Sequence, residues 1–388
     1  MMRAVIFLVV LFGILALPAV LVRWAYRDAW KKWLGAFVLA CYCLVVGLTA
    51  LFAGFRVDEP LIARYAVVGA NGIVLAGLSV VASALVWVPA LWWLRRQSRS
   101  ESTVDLARRR LLVGATQALP AVSVLLSPVG VRAAMKNPII RHVKIPMREL
   151  PAGLDGLRIL QLTDVHLGAH ISPTQLEKVA REATAFAPDM VVLTGDIADD
   201  YDELGPALEH LRILELPLGI FACIGNHEIY RGRDEAIAIY AKHDVTYLCG
   251  RGTLIERGGE KFWLAGADDP ARLFRNRSDF LSRTIRKSLD QCPDDVSTQI
   301  LLCHRPTGFD AAAEFGVNLT LSGHTHGGQM AFAGRSLFEP LMPRRYLLGH
   351  YQRGESHLYT SAGLGHWLPF RLNCPCEGTL IELQSALS

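Results

Sequence analysis

Five short groups of metal-ligating residue types recur in the second half of the chain: Asp164-Val165-His166, Gly195-Asp196, Gly225-Asn226-His227-Glu228, His304, and Gly323-His324-Thr325-His326. Aspartate and histidine are the ligand types preferred by borderline divalent metals such as zinc, manganese and iron. Alone, each group is weak, because Asp-x-His or Gly-Asn-His commonly marks an ordinary turn. His-x-His ahead of Gly327-Gly328 is somewhat stronger. Five groups in this order, each directly after an apolar run, are hard to attribute to chance and point to a metal centre. Residues i and i+2 at a strand end can point the same way, so Asp164/His166 and His324/His326 are expected as pairs. Gly195, Gly225 and Gly323 each precede a candidate ligand, as expected where the backbone must turn sharply.

The elements that would position these residues are legible around them. Apolar runs at 157–162, 190–193, 219–224, 299–302 and 319–321 read as strands. Each ends at one of the five groups. A helix is expected over 173–187, started by Ser172 and Pro173 and carrying apolar residues at helical spacing. Strands alternating with helices imply a layered α/β domain, in which loops beyond the carboxyl ends of the strands converge on a ligand site.

The order of the groups resembles the calcineurin-like metallophosphoesterase superfamily. Leu302-Cys303-His304-Arg305-Pro306 and Gly323-His324-Thr325-His326-Gly327-Gly328-Gln329 resemble its bacterial membrane-associated branch, which includes phosphodiesterases and UDP-diacylglucosamine pyrophosphatases. The resemblance covers about residues 155–385. It implies a four-layer fold, a β-sandwich flanked by helices, and a site for two divalent metal ions (manganese, iron or zinc). One ion would be held by Asp164, His166, Asp196 and His326, and the other by Asp196, Asn226, His304 and His324, with Asp196 bridging. Two such cations lower the pKa of a shared water, and the resulting hydroxide attacks phosphorus in line. His227 would be a catalytic histidine that donates a proton to the leaving oxygen. Asp199 would orient it, with Asp200 or Asp202 as alternatives. Arg305 reads equally as a phosphate contact or a surface arginine, and Gly266-Ala267-Asp268-Asp269-Pro270 resembles a loop near the substrate entrance. The match departs at Ala362, where relatives commonly carry an arginine. That weakens any inference about substrate from the Ser361–Gly365 loop.

The 388-residue chain is 51% hydrophobic and 20% charged, which excludes a disordered chain and is too apolar for a purely soluble enzyme. The apolar excess lies before about residue 130. Uncharged stretches at 4–22, 33–55 and 66–94 each exceed the roughly 18 residues needed to span a bilayer, and 111–127 is a marginal fourth. Three successive stretches argue against a cleaved signal peptide. The expected organisation is therefore a transmembrane helical region over 1–130 followed by a metallophosphoesterase domain over 150–388.

Arginine and lysine at 23–32 and arginine at 95–110 orient the bundle with its N-terminus outside. If 111–127 crosses, the catalytic domain faces outward, the periplasm in a bacterium, and that topology is the expectation here. Net charge is 40 − 36 = +4, with arginines clustered beside the apolar stretches, so no nucleic-acid partner is expected. The cysteines lack a disulfide or zinc-ribbon framework, although Cys374 and Cys376 are close enough in sequence to be bonded or simply two thiols.

The expected protein is thus an integral membrane phosphoester hydrolase of the bacterial inner membrane, partnered by the lipid bilayer. Its substrate would be a diester or pyrophosphate, possibly lipid-linked. A phosphomonoesterase is the enzymatic alternative, and a non-catalytic metal-binding receptor or scaffold is the alternative of another class.

Overall fold

The computed structural model describes residues 20–21, 23–24, 87–93, 111–116, 129–130, 132–168, 171–271, 277–366 and 370–386. The chain divides into two compact units, Met1–Met135 with Leu368–Phe370, and Lys136–Trp367 with Arg371–Ser388. In the first unit Trp87 and Leu91 are buried against Leu21, Trp24, Val88 and Val113, and the rings of Trp24 and Trp87 stack 6.3 Å apart. The expected stretch 33–55 lies outside the described residues, as do most of 4–22, 66–94 and 111–127. Among the described residues, no helix is long and apolar enough to cross a membrane.

The second unit is built on two six-stranded sheets. The first contains β1 (Ile139–Met147), β2 (Arg158–Leu162), β3 (Met190–Thr194), β4 (Gly219–Cys223), β5 (Val245–Tyr247) and β14 (Glu377–Ser385), in the order β1-β14-β2-β3-β4-β5. The second contains β6 (Arg251–Arg257), β7 (Glu260–Gly266), β8 (Thr298–Leu302), β9 (Leu319–Ser322), β12 (Gly349–Arg353) and β13 (Ser356–Thr360), in the order β12-β13-β9-β8-β7-β6. A hairpin of β10 (Ala331–Phe332) and β11 (Arg335–Ser336) lies outside both.

β2 through β5 run parallel, as do β7, β8, β9 and β13. Parallel neighbours require crossover connections, and helices supply all of them except β9 to β13, which runs through the β10–β11 hairpin and β12. On the first sheet these are α1 (Pro173–Ala183), α2 (Leu204–His210) and, after the short α3 (Asn226–Arg231), α4 (Arg233–Lys242). On the second they are α5 (Arg277–Leu289) and α6 (Phe309–Glu314). α1 starts at Ser172, where a reciprocal capping box with Gln175 satisfies orphan backbone donors. The expected helix over 173–187 thus ends early as α-helix, and Thr184–Phe186 continues it as a 3-10 turn.

Strand alternation explains the four layers. Every residue of β3 is buried. Met190 and Val192 lie in a core shared with Phe262, Leu264, Ile300 and Leu319 of the other sheet. Val191 and Leu193 instead pack with Leu176, Val179, Leu204 and Leu208 of α1 and α2. On the far side, Trp263 and Leu301 pack with Leu281 and Ile285 of α5. The strands read as continuous apolar runs because both of their faces are covered. One buried polar residue ties the sheets together: Gln161 Nε2 donates to Thr194 Oγ1 at 2.9 Å and to the Ser322 carbonyl at 3.0 Å.

Phe262 is fully buried in the core between the sheets. Phe262→Ala removes a ring there, so denaturant unfolding of the purified chain is expected to show a loss of about 3–5 kcal/mol. A loss below about 1 kcal/mol would mean that the two sheets do not share one core.

Candidate metal centre

The five groups meet at the carboxyl ends of β2, β3, β4, β8 and β9, so both sheets contribute. Three sets of donor atoms each lie within 4.8 Å of one another: Asp164, His166 and His326; His166, Asp196 and His227; and Asp196, His304 and His324. Asp164 and His166 share a set, as their spacing suggested, whereas His324 and His326 are divided between two. Asp196 belongs to two sets, and its Oδ2 is 3.1 Å from His304 Nε2. His304 Nε2 is in turn 3.2 Å from His324 Nδ1, and His166 Nε2 is 3.4 Å from His326 Nε2.

The backbone at these positions is unusual. Asp164, His166, Asp196, His324 and His326 all have φ between 48° and 68°, the left-handed region. A residue with a side chain adopts that conformation at a cost of about 1–2 kcal/mol, so the surrounding structure must impose it. The imposition is visible as interlocked loops. The Asp164 N–H donates to the Gly195 carbonyl at 3.0 Å, His166 N–H to the Asp196 carbonyl at 3.2 Å, and Gly365 N–H to the Asp164 carbonyl at 2.7 Å. The Asp164 carboxylate accepts from the His324 N–H at 2.9 and 3.0 Å, tying the first sheet's loop to the second's.

Two of the three preceding glycines serve a different purpose from the one expected. Only Gly195 has a positive φ, at 89°. Gly225 has φ −105°, ordinary extended backbone, and Gly323 is not in the left-handed region either. Both are places where a side chain would not fit. A Cβ at Gly225 would overlap Asp196 Oδ1, and one at Gly323 would overlap Asp164 Oδ2 and Thr163 Oγ1. The sharp turns fall on the candidate ligands themselves, and the glycines make room for their carboxylates.

Charge is concentrated in this pocket. Burial raises the Asp196 pKa, but the charge and hydrogen bond of His304, with His166 and His227, hold it far below the usual carboxylate range. Burial likewise works against a charged His304, yet Asp196 and Asp164 push its pKa up to about 10. His324 and His326 go the other way, driven well below the ordinary imidazole value by burial and by neighbouring cationic groups. An ionised carboxylate with His324 and His326 kept neutral is a mixed oxygen–nitrogen donor set that suits a borderline divalent cation.

Glu228 is fully buried and accepts three backbone N–H groups: Asp196 at 2.9 Å, Ile197 at 2.7 Å and Gly225 at 2.8 Å. It thereby fixes the β3 loop against the β4 loop. Its place beside His227 in the sequence gave no sign of that role.

Asp199 stands next to the centre and holds two rings. Its Oδ1 is 2.6 Å from His227 Nδ1, and its Oδ2 is 3.0 Å from His166 Nδ1. Burial raises the Asp199 pKa, but these two histidines hold it well below the usual range. Burial alone would lower the His227 pKa, and the Asp199 hydrogen bond with the charges of Asp196, Asp199 and Glu228 raises it instead. Asp200 is used differently, its Oδ1 accepting the Asp202 N–H at 3.0 Å.

Arg305 is not a surface arginine. It is 7% exposed, with Nε donating to Asp269 Oδ2 at 2.8 Å and Nη2 to Asp269 Oδ1 at 3.2 Å. The same Nη2 donates to Asn226 Oδ1 at 3.1 Å, and Nη1 is 2.7 Å from His324 Nε2. The Gly266–Pro270 loop therefore reaches the centre through Asp269. Arg371 is fully buried; it donates to the Ala362 carbonyl at 2.9 Å and lies 3.4 Å from His326 Nδ1. Ala362, the departure from the family pattern, lines a separate cavity of about 150 Å³ with Arg141, Tyr359 and Glu377. Cys374 and Cys376 are both buried free thiols.

Gly225→Ala tests the crowding directly, since its backbone tolerates alanine and only space is lost. Calorimetric titration with manganese is expected to show affinity reduced 10- to 100-fold, the usual effect of disturbing a ligand's support. Wild-type affinity would mean that Asp196 is not a ligand in this position.

The profile of the calcineurin-like phosphoesterase family matches residues 157–328. The bovine transmembrane protein with metallophosphoesterase domain is 30% identical over 380 residues, covering 92% of this chain and 81% of its own. An uncharacterised metallophosphoesterase of Bacillus subtilis, YkuE, is 34% identical over 245 residues, or 61% of this chain and 82% of its own. A solved 5'-nucleotidase precursor from Thermus thermophilus is more distant, 14% identical with a TM-score of 0.36 over 53% of this chain and 49% of its own. On the two sequence relatives and the matched profile, the chain belongs to the calcineurin-like phosphoesterase family, the metal-dependent phosphoester hydrolases.

Proposed function

We propose that the chain is a membrane-anchored phosphodiesterase or pyrophosphatase that uses two divalent metal ions to cleave a lipid-linked or envelope phosphoester. The observation that carries the reading is a chain of three donor sets linked through His166 and Asp196, one of which includes His227, whose ring is hydrogen-bonded to Asp199. Asp164, His166, Asp196 and His326 would hold one ion, and Asp196, Asn226, His304 and His324 the other. Bound there, the ions would lower the pKa of a water and offset negative charge on the phosphoryl oxygens.

The remaining work falls to residues of the chain. Asp199 accepts from His227 Nδ1, which fixes the ring and favours its protonated form. That leaves the other ring nitrogen to give a proton to the departing oxygen. The same carboxylate steadies His166, so a ligand and the acid share one support. Arg305, clamped by Asp269 against Asn226 and His324, adds a fixed cation where a phosphoryl group would lie. Membrane attachment is supported by the uncharged stretches before residue 130 and by the similarity to the bovine transmembrane protein. Lipid or envelope chemistry is inferred from that attachment, and the outward placement from the charge pattern of the flanks.

The test is hydrolysis of bis(p-nitrophenyl) phosphate against p-nitrophenyl phosphate by detergent-purified full-length protein with manganese, taking Asp196→Asn as the blank. Faster diester cleavage, abolished in that variant, is the expected result. Preference for the monoester would make the protein a phosphatase, and activity on neither with metal bound would favour a receptor. His227→Ala is expected to keep its metal while losing roughly 10²–10⁴-fold in turnover on poor leaving groups. Loss of metal instead would make His227 a ligand.

A further inference from the structure

Between the loop carrying His324 and His326 and strand β12, residues 332–345 form an excursion that the catalytic site does not use. Four of its apolar side chains are turned outward: Phe332 is 73% exposed, Leu341 75%, Met342 48% and Leu337 46%. Exposed apolar residues gathered in one short segment mark an interaction site more often than plain surface.

The charges of the segment are one-sided. It carries Arg335, Arg344 and Arg345 against Glu339 alone, 3 − 1 = +2. Arg335 is already occupied, 3.6 Å from Glu339 and stacked over the Tyr351 ring at 4.5 Å. Arg344 and Arg345 are exposed, and neither forms an ion pair among the described residues.

The excursion is held against the metal-ligand loop at two points. Thr325 Oγ1, between the two histidines, donates to the Leu347 carbonyl at 2.6 Å. A Cβ on Gly328 would lie 2.6 Å from Phe338, so that ring packs directly on the loop. Tyr346 closes the base, its hydroxyl donating to Asp310 at 2.7 Å and its ring meeting Phe309 and Tyr351 edge-on.

We propose that residues 332–345 dock the catalytic domain on an anionic lipid surface, with Phe332 and Leu341 entering the interface and Arg344 and Arg345 meeting lipid phosphates. Aromatic and leucine side chains interleaved with arginine are the composition that binds at the headgroup layer. A second copy of the chain is a poorer occupant, because a two-fold contact would set the unpaired arginines of one copy against those of the other. Docking here would hold the His324/His326 loop at the headgroup layer whatever bond the enzyme cleaves. The inference concerns this surface and stands apart from the choice between diester and monoester.

Hydrogen exchange of the full-length protein tests it, read by mass spectrometry on peptides covering 332–345. The chain is compared in phosphatidylcholine nanodiscs, in nanodiscs containing phosphatidylglycerol, and in neutral micelles. Exchange is expected to slow at least about tenfold only in the anionic discs. Arg344→Glu combined with Arg345→Glu should remove that protection, since two arginines at an anionic surface are together worth roughly thirtyfold in binding. Turnover of the soluble diester should be unchanged in the variant, which shows that it is folded. If the variant loses turnover, the wild-type comparison across the three environments decides alone. Equal exchange in all three overturns the proposal. Slow exchange in all three also overturns it, because the segment would then be covered by protein. Loss of wild-type diester turnover with protection intact would sink the proposed activity and leave the docking surface standing.

Discussion

A buried negative charge at Asp196 organises the centre. Its carboxylate is almost fully enclosed and stays ionised, with Oδ1 accepting the His227 backbone N–H at 2.8 Å and Oδ2 facing His304. An isolated carboxylate in such a place would be prohibitively costly, so cationic or strongly polar partners must surround it. Those partners come from both sheets: His304 from the end of β8, and the backbone N–H of His227 from beyond the end of β4. The two sheets can meet this demand only if their loops approach to hydrogen-bonding distance. That approach explains the left-handed backbone at five candidate ligands and the glycines that leave no side chain in the way.

Support extends outward from that charge in a graded way. Glu228 locks two loop backbones, Asp199 holds the rings of His166 and His227, and Arg305 with Asp269 closes the side near Asn226 and His324. Arg371 buttresses the His326 side through the Ala362 and Gly365 carbonyls. None of these supporting contacts depends on exposed ion pairs, which contribute little. They lie largely out of solvent, where hydrogen bonds to charged groups are strong and a missing partner is costly.

Much of this was legible in the amino-acid order, and the failures are instructive. β2, β3, β4, β8 and β9 could be read because each ends a short apolar run at a chemistry-bearing residue. The edge strands β1, β6 and β12 offered no such marker, and β14 finds its place only by pairing between β1 and β2 from more than two hundred residues away. Asp199 was readable because its spacing from Asp196 matches the family. Arg305 was not, because its burial depends on Asp269, which is remote in sequence and brought near by the β7–α5 connection. Gly225 and Gly323 look like turn residues in the sequence because a glycine used for its angle and one used for its lack of volume are indistinguishable there. Only the contact with a neighbouring carboxylate separates the two uses.

The central claim is that Asp196 joins two metal positions. Counting metals in the purified full-length chain by inductively coupled plasma mass spectrometry addresses that claim most directly. The wild type is predicted to hold two divalent ions per chain after manganese loading and desalting. Asp196→Asn is predicted to lose both together, because each position would give up a charged ligand. One ion per wild-type chain, or a variant that still holds two, would contradict the shared carboxylate on which this reading of the centre depends.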